Sequence, residues 1–101
     1  MKRVLLTGTL LLAASAFAWA DAKDIYMNKC SVCHGPDGAG KTAKGRKLKV
    51  KDVRETAKKV SVAEMIKVVE EGKGVDMDAF GKDLSKAEIR AVVDFYRDLA
   101  K

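Results

Sequence analysis

Proline, cysteine and histidine are scarce in this chain: one proline, two cysteines and one histidine among 101 residues. Each shortage excludes something. Cys30 and Cys33 cannot build a disulfide framework, and a bridge between them would close so small a loop that it would stabilise little. His34 is the only histidine, so no second Cys/His pair exists to complete a four-ligand structural zinc site. Alternating apolar runs bounded by turns are missing, which argues against strands and against the βαβ setting of a thioredoxin-like redox pair. No aromatic residue interleaves the lysine-rich stretch 41–59, so a base-stacking surface for nucleic acid is not expected.

Acidic residues are absent from the first twenty positions. There, Lys2 and Arg3 precede an apolar stretch from Val4 to Ala14 and the small-residue ending Ala18-Trp19-Ala20. This is the order of a secretory signal peptide, with cleavage expected between Ala20 and Asp21. Val4 to Ala20 is 17 residues, short for a spanning helix of about 20. No cysteine follows the cleavage point to take a lipid. The expectation is therefore a signal at 1–20, removed on export, and a soluble periplasmic domain at 21–101 with no stable membrane insertion.

The mature chain would have 81 residues, one domain with a marginal core that a bound group could complete. It holds 18 basic and 14 acidic side chains, a net of +4. Residues 41–59 alone carry nine basic and two acidic side chains, a local net of +7, which leaves the rest at −3. Such a run is either a solvated face or a surface for an acidic partner.

The periodicity is helical throughout. A first helix is expected from about Ala22 to Cys30, with Ile25, Tyr26 and Cys30 on one side. A loop marked by Gly35, Pro36, Asp37, Gly38, Gly40 and Gly45 comes next. A short helix within Lys51 to Lys58 is a weaker expectation. Ser61-Val62-Ala63-Glu64 and Ser85-Lys86-Ala87-Glu88 are both capping boxes, each heading an apolar stripe. The first stripe is Val62, Met65, Ile66 and Val69, stopped by Gly72 and Gly74. The second is Ile89, Val92, Val93, Tyr96 and Leu99. The fold class is all-α, with about four helices.

Cys30-Ser31-Val32-Cys33-His34 is a C-x-x-C-H motif. Two thiols about one helical turn apart can add to the two vinyl groups of one haem, and the adjacent imidazole can ligate its iron. Because His34 is alone, a sixth ligand would be methionine or lysine, or there would be none. Met27 lies in the first helix and Met65 on an apolar stripe, where a methionine fills core. Met77 lies in the loop between the two capped helices, where no stripe demands it.

With these residues in view, the chain resembles the class I bacterial cytochromes c, of the short monohaem kind related to c6, c551 and c553. The resemblance spans about 22–100. It rests on Cys30 through Gly38, on Gly72-Lys73-Gly74 through Met77, Ala79, Phe80 and Gly81, and on Leu84-Ser85. It implies helices wrapped around one covalent haem c, with Cys30 and Cys33 as thioether sites and His34 and Met77 as axial ligands. It also implies that Tyr26 and Phe95 meet where the first and last helices cross. Ala22 stands where many relatives have glycine, and Asp78 where many have proline. Relatives often use a proline carbonyl to accept from the axial histidine; a backbone carbonyl between Gly45 and Val50 is the expected substitute.

The function this implies is electron carriage between redox proteins, not catalysis on a substrate. Partners would dock transiently, in part electrostatically, through an edge near Ser31, Val32 and the Met77 loop, and the protein would be a monomer. Ile66, Val69, Phe80, Val92, Val93 and Leu99 would surround the ring. Two alternatives stay open: a five-coordinate haem protein that binds a small ligand or reduces peroxide, and a small subunit of a larger oxidoreductase.

Overall fold

Five helical segments and no strand make up residues 21–101, the part of the chain described by the computed structural model. The expected signal, 1–20, lies outside the described residues.

Helix α1 spans 21–34 and changes pitch on the way. Residues 21–25 are α-helical, Tyr26–Cys30 form a π-helical turn, and Ser31–His34 return to α geometry. The wide turn is closed by the Ser31 N–H, which donates to the Tyr26 carbonyl five residues back. This corrects the expected face. In a regular helix Tyr26 and Cys30 share a side, but one extra residue rotates the rest of the helix by about 100°. Tyr26 and Ala22 therefore bury at 1% exposure, while Cys30 is only half-buried.

Helix α2, Ala43–Leu48, falls where only loop was expected. Gly45 in its middle hides it from a propensity reading, but Thr42 caps it by accepting from the Gly45 N–H at 2.9 Å. Lys49 ends it in the left-handed region at φ 59°. Helix α3, Val53–Lys59, starts at Asp52, whose carboxylate accepts from the Arg54 N–H at 2.9 Å.

Helices α4, Val62–Glu71, and α5, Lys86–Asp98, begin at the two serines as expected, and both capping boxes are complete. Their apolar stripes meet. Met65 of α4, Ile89 and Val93 of α5, and Leu84 from the preceding loop form the buried cluster. Ile25, Val69, Phe80 and Tyr96 pack around it. Arg97 of α5 donates to the Val60 and Ala57 carbonyls at 2.8 and 3.3 Å. It thereby satisfies carbonyls at the C-terminal end of α3 and places a cation where the helix dipole favours one.

The first and last helices meet through aromatic rings. Tyr26 lies 5.3 Å from Phe95 and 6.0 Å from Tyr96 between ring centroids. This is the crossing expected from the resemblance, and it holds the end of α1 against α5.

Candidate functional site

Cys30, Cys33 and His34 sit together on the last turns of α1. Both thiols are free and half-buried. Burial is the main cause that pushes the Cys30 thiol up to about 11, so it stays protonated at neutral pH. Burial also depresses the pKa of His34 below 6.5, which keeps the imidazole neutral with a lone pair to give. The ring stands edge-on to Tyr96 at 5.1 Å.

The backbone of this turn is held from several sides. The Tyr26 hydroxyl donates to the Gly35 carbonyl at 2.6 Å, across nine residues and inside the protein. The Gly40 N–H donates to the His34 carbonyl at 2.8 Å. Thr42 Oγ1 donates to the Val32 carbonyl at 2.7 Å while accepting from Gly45. A Cβ at Gly45 would collide with the Cys33 carbonyl and come within 2.6 Å of the Gly40 carbonyl. Only glycine lets α2 lie this close. The carbonyls of Val32, His34 and Gly35 thus each have a donor, and the turn cannot shift without breaking several bonds.

His34 Nδ1 is the one buried side-chain nitrogen or oxygen among the described residues without a hydrogen-bond partner. The expected acceptor between Gly45 and Val50 is not in place. The Gly45 carbonyl is taken up by the Val50 N–H at 2.9 Å, and the Val50 carbonyl faces Gly40. An orphaned buried nitrogen is costly unless a bound group reorders the ring.

Met77 stands on a separate segment, the loop between α4 and α5. Its backbone pairs with Lys73: the Lys73 N–H donates to the Met77 carbonyl at 2.9 Å. Gly72, at φ 78°, leaves no room for a Cβ, which would lie 2.7 Å from the Met77 carbonyl. Phe80 and Gly81 then tie the loop back to α4 through the Val69 and Glu70 carbonyls, at 2.8 and 3.1 Å. The Met77 side chain is half-buried, whereas Met65 is 6% exposed in the core, as expected of a packing methionine.

The expected apolar surround needs one correction. Val92 and Val93 are 3% and 2% exposed, already covered by protein. Ile66, Val69, Phe80 and Leu99 remain half-buried and are the apolar side chains able to cover a further group. Two surface depressions, one lined by Ala57, Asp94 and Arg97 and one by Gly35, Pro36 and Lys41, include none of Cys30, Cys33, His34 or Met77. Sequence reading missed Thr42, Gly40 and the Tyr26 hydroxyl. Thr42 before a helix start was the available signal, but Gly45 at its third position cannot complete a capping box.

A strandless domain with a C-x-x-C-H turn at the end of a first helix that crosses the last is that of a class I c-type cytochrome, an electron-transfer class. The chain belongs to the family described as cytochrome c oxidase, cbb3-type, subunit III, whose model matches residues 17–95. Among solved structures it is similar to the KustC0563 c-type cytochrome, with a TM-score of 0.73 and 29% identity. That similarity covers 79% of this chain and 98% of the other. No curated protein matches the chain.

Proposed function

We propose that this electron carrier is an exported, periplasmic, monomeric protein that holds one haem c per chain. Cys30 and Cys33 would hold it through thioether bonds, and His34 and Met77 would ligate its iron. A bound haem supplies a one-electron ferrous/ferric couple. The chain's own residues do the rest. His34 offers a neutral imidazole, Met77 a thioether on a loop pinned at both ends, and Ile66, Val69, Phe80 and Leu99 exclude water. Were His34 and Met77 both to ligate the haem iron, no position would be left for a substrate, which supports carriage over catalysis.

The observation that carries this reading is the grouping of two free thiols and a half-buried imidazole, whose buried Nδ1 has no hydrogen-bond partner, on one clamped turn. The test is the mass of protein exported by a host that matures c-type cytochromes. It should equal residues 21–101 plus one haem, retained after acid-acetone treatment, and the ferric form should carry the near-infrared band of sulfur-to-iron ligation. Haem released by acid-acetone would sink covalent attachment; a five-coordinate ferric spectrum would sink Met77 as ligand.

The family description favours a second reading, membership of an oxidase complex as a small subunit. It predicts stable co-purification with other subunits, where a free carrier elutes alone.

A further inference from the structure

The plane of a ligating imidazole is fixed either by a hydrogen bond at the nitrogen that does not bind the metal or by whatever packs against the ring. In His34 the buried Nδ1 has no hydrogen-bond partner. What the ring does have is Tyr96, 5.1 Å away between centroids at an interplanar angle of 68°. That is the edge-to-face arrangement that aromatic rings favour.

Tyr96 is itself held. It stacks on Tyr26 at 6.0 Å and 28°, and Tyr26 is 1% exposed. The Tyr26 hydroxyl donates to the Gly35 carbonyl at 2.6 Å, so the stacked pair is tied to the backbone directly after His34. The Thr56 side chain of α3 hydrogen-bonds Tyr96, and Thr56 Oγ1 donates to the Asp52 carbonyl at 3.2 Å. The next residue, Arg97, donates to the Val60 carbonyl at 2.8 Å and holds this turn of α5 to the end of α3. A ring anchored to α1, α3 and α5 can dictate the angle of a neighbour that lacks a hydrogen bond of its own.

We infer that Tyr96 is a positioning residue for His34: its ring, carried by α5, sets the plane of the imidazole. The inference rests on the reading of His34 as an axial ligand. The contact with His34 is made between the two rings, so the ring carries the role and the hydroxyl only supports it through Thr56. A tyrosine that merely filled space would cost stability when truncated and leave that plane alone.

The experiment reads frozen-solution electron paramagnetic resonance of the ferric holoprotein, because the orientation of an axial imidazole governs the splitting of the g values of low-spin iron. The protein is matured in the export host on histidine labelled with heavy nitrogen in the ring. The parent should give one set of g values. Tyr96→Phe keeps the ring and should reproduce them. Tyr96→Leu fills space without a ring and should lose the single set to broadened or multiple signals, with the sulfur-to-iron band retained. Tyr96→Trp presents a larger ring from the same turn and should move to a new set, which keeps the test decisive if the leucine variant fails to accumulate. Ile89→Val loosens α5 within the cluster of Met65, Leu84 and Val93, and should lower the melting temperature without moving the g values.

The parent's g values in Tyr96→Leu or in Tyr96→Trp overturn the proposal. So does a Tyr96→Phe spectrum that departs as far as the leucine one, since the ring would then not be the agent. The same change in Ile89→Val also overturns it, because general loosening of α5 would explain the effect. Failure of the ligand reading looks different. His34 is the only histidine, so labelled ring nitrogens without a paramagnetic shift in the parent would mean that no histidine is on the iron, whatever the Tyr96 variants do.

Discussion

Met65 lies in the cluster of Leu84, Ile89 and Val93, with Arg97 Nη1 3.6 Å from its sulfur, whereas Met77 spends its backbone on Lys73 and leaves its side chain half-buried. The two thioethers should separate cleanly in mutants. Met65→Leu nearly conserves volume and should cost less than about 1.5 kcal/mol while leaving the sulfur-to-iron band intact. Met77→Leu should abolish the band. Met77→His should keep six ligands and lower the potential by a substantial part of the roughly 0.8 V range that axial ligands span. A redox titration and a near-infrared spectrum of each variant decide the matter, and the opposite pattern would hand the ligand role to Met65.

Asp52 gives a second prediction at this scale. Side-chain and backbone bonds from Arg54 hold its carboxyl down to about 2 from an ordinary 3.8. Below 3.8 the unfolded chain binds a proton more readily than the folded one, so the contribution is complete above 3.8 and is lost as the pH falls toward 2. Asp52→Asn keeps the α3 cap acceptor and removes this contribution. The acid-unfolding curve of the holoprotein should be shallower in that window for the variant; curves that superimpose would show that the pair is already screened by solvent.

Elements were legible where their ends carry chemistry. Ser61 with Glu64 and Ser85 with Glu88 announce α4 and α5, and in both the serine accepts from the glutamate N–H while the glutamate reaches back. Ser61→Ala and Ser85→Ala should each cost about 1 kcal/mol in denaturant titrations of the holoprotein. No change would mean that tertiary packing alone fixes those helix starts. Helix α2 was not legible, because its cap Thr42 is known only from its partners: a hydroxyl that reaches the Val32 carbonyl ten residues back is a tertiary fact. The π-turn in α1 was hidden for the same reason. No residue type within Tyr26–Cys30 announces it, and it falls where Tyr26 meets Phe95 and Tyr96 of the last helix. Gly45→Ala should be far more damaging than an ordinary helical glycine-to-alanine change, which stabilises by up to about 1 kcal/mol. Its methyl would meet the Cys33 carbonyl, so poor haem incorporation and a lowered melting temperature are expected. A normal yield and melt would show that α2 can move off the attachment turn.

At the scale of the whole molecule, the motif Cys30 to His34 and the loop of Met77 could be found in the sequence because chemistry constrains their residue types. The packing among them could not, because Val92 and Val93 carry the same apolar signature as Ile66 and Phe80 yet are covered by protein. Only nine apolar residues among those described are buried, and two of them are alanines. That is a small core for 81 residues. Domains of this size often need a metal, a cross-link or a bound group to be stable. Cys30→Ala/Cys33→Ala, made in the same export host, should therefore accumulate poorly, and the haem-free product should lack a cooperative thermal transition and a near-ultraviolet circular dichroism signal. The clamps on the attachment turn do not rescue it, since the Tyr26, Gly40 and Thr42 bonds satisfy backbone groups but bury little apolar area. A haem-free double variant that melts cooperatively at the parent's temperature would mean that α4, α5 and the Tyr26 crossing suffice by themselves, and that the covalent group is cargo for an already finished fold.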